Sequence, residues 1–487
     1  MNRKIVFNIV GRMFEIMSLF LLLPLVVSII YRETKSFFAF AVTIVISLLF
    51  GVFLRFFTRN YNKVMYAREG FLAVALVWLA ASLVGCLPFL LSGEVTSFSD
   101  AFFETVSGFT TTGASVLDVT KLSHGILLWR SFTHWIGGMG VLVFMVAFMS
   151  NISDRAMHVL RAEMPGPVIG KIVPKARDTS KVLYIMYIVL TLIQIVALWL
   201  GEMNLFESTI HSFGTAGTGG FGIRGDSVAS YSSYSQWIII AFMVIFGVNF
   251  NLYYLMTIRR FKAAIKSTEL WTYFGIITVS TVLIAVNLTM NPNPSYGFSG
   301  IGETIKNSVF QVSSIVTTTG YASADFNIWP DFSKSILLVL IFSGACAGST
   351  AGGLKISRVI LLFKMCAKEV KRMVHPRSVV SVKLEGKEIE EDVQKSVTTY
   401  FSVYIICILA FFLIIGFEPF GFETNFTAVV TCFNNVGPGF DIVGPYGSFA
   451  GYSPFSKIIL SLAMLMGRLE IFPVLIALIP SAWRKKK

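Results

Sequence analysis

Four short stretches interrupt a strongly apolar chain at matching places. They are Thr110-Thr111-Thr112-Gly113, Gly217-Thr218-Gly219-Gly220, Thr317-Thr318-Thr319-Gly320 and Asn434-Asn435-Val436-Gly437. Each closes a short, mostly apolar segment that begins near an acid (Asp100, Glu207, Glu303 or Glu423) and lies between two much longer apolar segments. A segment too short to cross a bilayer, set between two that can, reads as re-entrant. Its non-helical end sits at membrane depth only where protein buries it or a watery cavity receives it. Four such ends in one polypeptide can share one cavity. Backbone carbonyls gathered there can replace the water around a dehydrated cation.

Composition places the chain in a membrane. Of its 487 residues 55% are hydrophobic and 14% charged, and mean hydropathy is +0.72; a soluble protein carries nearer a quarter charged residues. Ten spanning segments are predicted: 5–31, 37–54, 70–92, 125–150, 182–201, 236–258, 271–290, 334–363, 396–417 and 455–482. The first continues past the length of a signal-peptide core, and Arg12 and Glu15 interrupt its start, so no cleaved leader is expected.

The net charge of +13 could suggest nucleic acid, but its distribution argues against that. The N-terminus, the loops 55–68, 151–181, 259–266 and 364–395, and the Arg484–Lys487 tail hold 28 of the 40 lysines and arginines. Positive loops mark the cytoplasmic side. Both termini are therefore expected inside, with the four stretches entering from an acidic outer face that would concentrate cations. The acidic run from Glu385 to Asp392 reads as a solvated charge run. The five cysteines show no CxxC spacing and read as small hydrophobes; the five histidines form no HExxH.

The fold expected is an all-α polytopic membrane protein. An N-terminal two-helix hairpin (1–69) precedes four pseudo-repeated units of helix, pore helix, filter and helix around one central pore. Their ranges are 70–165, 166–265, 266–380 and 381–487, and the third carries a broken second helix. The marker glycines recur at intervals of roughly 100 to 120 residues, which means repeated domains about an axis rather than a solenoid. Pore helices are predicted at about 99–109, 205–214, 302–316 and 422–433. Each would aim its negative C-terminal end at the pore centre, with the acid complementing its positive start.

The candidate cation ligands are carbonyls of Thr111, Thr112, Gly113, Thr218, Gly219, Gly220, Thr318, Thr319, Gly320, Asn435, Val436 and Gly437. Thr319-Gly320-Tyr321 echoes the Val-Gly-Tyr core of potassium-channel filters. The four stretches are unequal, so the pore is only approximately four-fold.

Two features lie near the middle of later spans. The run Gly344-Ala345-Cys346-Ala347-Gly348-Ser349-Thr350-Ala351-Gly352-Gly353 has two readings: close helix packing along a GxxxGxxxG face, or a broken helix whose middle forms a loop below the filter. The pair Gly352-Gly353 and the polar Ser349-Thr350 favour the loop. It is not a phosphate loop, because no Lys-Ser/Thr follows the last glycine. Arg468 lies near the middle of the last span, where an arginine must face protein or water. It could bond backbone carbonyls or an acid, or serve as a positive charge that slows cation leak.

With these residues in place, the chain resembles the Trk/Ktr/HKT superfamily of potassium transporters. Ser107–Gly113, Thr218-Gly219-Gly220-Phe221, Ser314–Gly320, Asn434–Gly439, the Gly344–Gly353 run and Gly467-Arg468-Leu469-Glu470 carry the resemblance, which covers nearly the whole chain. The extra N-terminal hairpin makes it most similar to the bacterial TrkH subunits. The resemblance implies potassium as the transported ion, no cofactor, and a bacterial inner membrane. It implies a homodimer with one pore per subunit and control by a TrkA-like cytosolic ring of nucleotide-binding subunits. It also implies a gate made of Gly344, Gly348, Ser349, Thr350, Gly352, Gly353 and Arg468. Competing readings are a sodium- or proton-coupled symporter, an intramembrane enzyme and a scaffold. Coupling usually needs a titratable group on the path, and Glu15 and Glu470 are the only acids clearly inside the predicted spans. No partnered histidine or metal spacing supports an enzyme.

Overall fold

The computed structural model describes residues 2–60, 65–140, 176–378 and 380–484, the side chains of 176–180 excepted. The second half of the expected 125–150 span, most of the basic 151–181 loop, the 165/166 repeat boundary and Lys485–Lys487 lie outside the described residues.

Regular structure here is helical, apart from one small hairpin that pairs Lys383–Leu384 with Lys387–Glu388. Among the described residues six helices are long and apolar enough to cross a membrane: Arg3–Ile30, Thr34–Phe57, Ala67–Leu91, Lys181–Trp199, Thr268–Met290 and Glu391–Ile415. Large apolar side chains such as Leu49, Phe56, Leu192 and Leu413 stand exposed on their outer faces, the surface that lipid covers. The first two helices form the accessory hairpin. A Cβ built on Gly51 would lie 2.8 Å from the Gly11 carbonyl oxygen, so the pair crosses backbone against backbone. Glu15, the acid inside the first apolar run, is neutralised by Arg55 of the second helix at 2.7 Å.

The four pore helices are Phe98–Phe109, Leu205–Ala216, Ile301–Val316 and Phe422–Asn434. Each carries its acid in the first turn, beside the positive helix end. The third is the longest, with 16 residues, which accounts for the greater distance between Glu303 and Gly320. Their buried hydroxyls bond carbonyls one turn back, as Thr105 does to Ala101 (2.7 Å) and Thr431 to Thr427 (2.8 Å). Many of the buried polar residues are satisfied in this way, although the Ser107, Ser212 and Ser313 hydroxyls are buried without a partner.

The helix that follows each pore stretch corrects the expected spans. The described helices are His124–Gly138, Ser233–Phe246, Asp331–Ser343 and Pro454–Arg468, of 15, 14, 13 and 15 residues. A straight crossing takes about 20. The break expected in 334–363 is present, since helix resumes only at Ile356–Val374. The spans 236–258 and 455–482, expected to be continuous, also break. The first bends by 88° between Phe246 and Phe250, and the second at Leu469–Ile471, where Glu470 and Ile471 have φ of 56° and 65°. The cause is steric. A Cβ on Gly247 would come within 2.9 Å of Thr317 Cγ2, and Cβ atoms on Gly137 and Gly467 would collide with the carbonyls of Phe109 and Phe433. The first, second and fourth of these helices thus end beside a glycine that packs against the C-terminal end of a pore helix, whereas the third ends at Gly344, which packs against Gly352 and Gly353 of the loop.

Candidate functional site

The filter stretches begin as helix caps. In every repeat the residue two before the marker glycine takes a left-handed conformation: Thr111, Thr218, Thr318 and Asn435, with φ of 55° or 56°. Its N–H donates three residues back and the next N–H five back. The pairs are Thr111 to Gly108 and Thr112 to Ser107 (3.1 and 2.8 Å), Thr218 to Thr215 and Gly219 to Gly214 (3.0 and 2.8 Å), Thr318 to Ile315 and Thr319 to Ser314 (3.0 and 2.8 Å), and Asn435 to Cys432 and Val436 to Thr431 (3.3 and 3.0 Å). This is the Schellman cap, which usually places glycine at the left-handed position. Threonine there is strained by about 1–2 kcal/mol, whereas asparagine tolerates it better. Asn435 is also tied in place by donating to Thr112 Oγ1 and the Met464 carbonyl, both at 3.0 Å.

One residue on, the handedness reverses, and it reverses again at the glycine, where φ is 82°, 76°, 80° and 96° for Gly113, Gly220, Gly320 and Gly437. Alternating handedness turns successive peptide groups to the same side, as in a backbone nest. A strand would alternate them.

The four stretches pack in cyclic order. A Cβ on Gly113 would collide with the carbonyl of Gly219, one on Gly220 with that of Thr319, and one on Gly320 with that of Val436. One on Gly437 would lie 2.6 Å from the carbonyl oxygen of Thr112, which closes the ring. All four glycines line one cavity of about 220 Å³, with Asp118, Arg224 and Tyr446 on its wall. On the wall of this cavity Lys121, 2.8 Å away, and Thr120 hold the Asp118 carboxyl down to about 2.

Beneath the ring, the candidate gate residues form a compact loop. Its ends touch: a Cβ on Gly344 would lie 2.7 Å from the Gly352 carbonyl oxygen, and Ile356 N–H donates to Ala345 at 3.0 Å. Gly344, Gly348 and Gly353 all have left-handed φ, so each turn of the loop uses glycine where other residues are strained. The loop reaches the filter through the Gly352 N–H, which donates to Thr318 Oγ1 at 2.7 Å. Phe250 N–H donates to the Gly348 carbonyl at 3.1 Å, and the Ser349 hydroxyl to Cys346 at 2.6 Å. Arg468 donates to the Thr350 carbonyl (2.9 Å) and to Gly137 and Gly138 (2.5 and 2.8 Å), at the C-terminal end of the first inner helix. A guanidinium is favoured there by the helix dipole. Glu470 points elsewhere, to a bidentate pair with Arg358 at 2.6 and 2.9 Å. The cavity left between loop and Arg468 is about 50 Å³, room for one or two waters.

Three groups were missed by sequence reasoning. Glu269 accepts N–H bonds from Ala347 (2.7 Å) and Ser357 (3.2 Å), pinning both sides of the loop. Glu385 lies in the acidic run that reads as solvated, yet it accepts from Ser267, Thr268 and Glu269 at the start of the helix that carries Glu269. Glu104, inside the first pore helix, pairs with Arg130 at 2.5 Å and accepts from Val116 N–H beyond the filter. Only the charge of Glu104 within an apolar helix could have signalled its role.

Known proteins resemble this chain over nearly its whole length. The family described as TrkH, cation transport protein, matches residues 36–486. The chain belongs to the TrkH family. It is 36% identical over 493 residues to the Trk system potassium uptake protein TrkH of Escherichia coli K12, covering all of both chains. It is 33% identical to the TrkG protein of the same strain, covering 99% of each. The crystal structure of the potassium transporter TrkH from Vibrio parahaemolyticus superposes with a TM-score of 0.88 at 32% identity, over 99% of this chain and 100% of that one. As a TrkH-family member the chain is an integral membrane transport protein and not an enzyme.

Proposed function

We propose that this protein takes up potassium across a bacterial inner membrane through the ring formed by its four filter stretches. The observation that carries the reading is the cyclic contact of Gly113, Gly220, Gly320 and Gly437 with the next stretch's backbone. It brings the twelve candidate carbonyl residues of four separate repeats around one axis, as carbonyl coordination of a dehydrated cation requires. Potassium as the ion is supported by the names of the relatives. An inside-negative potential drives each inward charge by about 2.3 kcal/mol per 100 mV. The loop 344–353 and Arg468 form the closed gate: they occupy the space under the filter and place a positive charge there. Both termini are cytoplasmic, the protein works as a homodimer with one pore per subunit, and a nucleotide-binding cytosolic ring releases the gate.

The sodium- or proton-coupled reading is weakened by the two acids noted for it. Glu15 and Glu470 are each engaged by an arginine, Arg55 and Arg358. The test is Gly320→Ala in cells lacking other potassium uptake. Its Cβ would strike the Val436 carbonyl, so growth on limiting potassium should be lost while the protein still reaches the membrane. Unchanged uptake would overturn the proposal.

A further inference from the structure

The second filter stretch carries glycine at 217, 219 and 220, and backbone conformation accounts for only one of them. Gly220 has φ of 76°, but Gly217 and Gly219 are not left-handed, and Gly217 lies at −72°. A threonine would fit either backbone, as it does in the first and third stretches. There, Thr110 with Thr112 and Thr317 with Thr319 form hydroxyl pairs at 2.8 Å behind the strand.

Behind the second strand that space is filled by His134, from the inner helix of the first repeat. His134 is fully buried. Its Nδ1–H donates to the Gly108 carbonyl at 2.8 Å, and its ring lies 4.0 Å from that of Phe221, just past the filter. A Cβ on Gly217 would collide with the His134 backbone carbonyl, and one on Gly219 with the imidazole itself.

We infer that His134 is a specificity-determining positioning residue, which replaces the threonine pair behind the second strand and fixes how far that strand stands from the pore axis. The inference rests on the conduction reading above. Carbonyl selectivity depends on the size or stiffness of the cage. A buried ring bonded to the first pore helix gives the second strand a firm backing that glycine lacks. The unequal filter thus has a compensating side chain from a neighbouring repeat.

The test is a swap, read as the potassium-to-sodium permeability ratio of purified protein in liposomes. Gly219→Thr should lower the ratio by about tenfold or more through overpacking against the ring. His134→Ala should also lower it about tenfold, by leaving the strand unsupported. The double variant His134→Ala/Gly219→Thr should return to within about threefold of wild type. His134→Leu, which fills the space without the bond to Gly108, should fall between wild type and His134→Ala. Wild-type selectivity in His134→Ala would overturn the inference, as would a double variant no more selective than His134→Ala. If Gly219→Thr fails to accumulate, the comparison of the double variant with His134→Ala still decides. A wild-type protein that conducts no potassium would instead sink the conduction reading.

Discussion

Glu269→Ala should open the gate in the absence of any cytosolic partner. The Glu269 side chain is buried, and one oxygen accepts the N–H of Ala347 at 2.7 Å and of Ser357 at 3.2 Å. These bonds hold the two sides of the intramembrane loop to the start of the Thr268–Met290 helix. A hydrogen bond to a charged group contributes about 1.5–3 kcal/mol. Losing the shorter one in full and the longer one in part, with water from the cytoplasmic side recovering some of the loss, leaves about 3 kcal/mol. Since 1.4 kcal/mol is tenfold in an equilibrium, the open population should rise by about 100-fold. Glu269→Gln keeps one acceptor oxygen without the charge and should give about tenfold. The assay is rubidium or potassium influx into liposomes holding purified protein alone, with thermal melting as a check on folding. A folded Glu269→Ala protein whose partner-free leak equals wild type would refute the reasoning, because the loop would then be held closed without these bonds.

Two further predictions follow from the charged groups. Arg358 of the Ile356–Val374 helix pairs with Glu470 just past the Pro454–Arg468 helix, and Arg358 stacks 4.1 Å over Tyr400. The Glu470 side chain is 24% exposed and that of Arg358 8%, so removing the acid leaves a largely buried guanidinium unpaired at about 1–3 kcal/mol; Glu470→Ala should lower the apparent melting temperature by a few degrees, and an unchanged melt would contradict the packing described. On the wall of the filter cavity, Asp118 titrates at about 2, below its ordinary value, because Lys121 and Thr120 stabilise the carboxylate. Its ion pair is therefore complete above the ordinary carboxyl range and lost only as pH falls through about 2. The conductance ratio of wild type to Asp118→Asn should stay constant between pH 8 and pH 5; a ratio that falls over that range would show the carboxyl titrating there.

The pore helices and the loop at 344–353 were legible because their signals are local. Acid, short apolar run, threonine and glycine occur in order, and ten small residues sit in a row. The breaks at 247–249 and 469–471 were not legible. Neither carries a run of small residues like that at 344–353, and the groups that meet there lie far apart in sequence, such as Phe433 against Gly467. Arg468 was legible as a charge that must face protein. That it would choose carbonyls of Gly137, Gly138 and Thr350, leaving Glu470 to Arg358, depends on the packing of three repeats. Glu269 reads in sequence as an ordinary acid at a helix start. Its reach to Ala347 exists only in the folded chain. The sequence marks the threonines as carbonyl ligands; the left-handed caps at Thr111, Thr218 and Thr318 run against threonine's own preference and have no sequence signal.

The most direct test of the central claim is the reversal potential of purified protein in liposomes under opposed gradients of potassium, sodium and protons. If four filter stretches form one selective conduit, the reversal potential should follow the potassium gradient and stay fixed when the sodium or pH gradient is changed at constant potassium. A reversal potential that moves with either of those gradients would contradict the account.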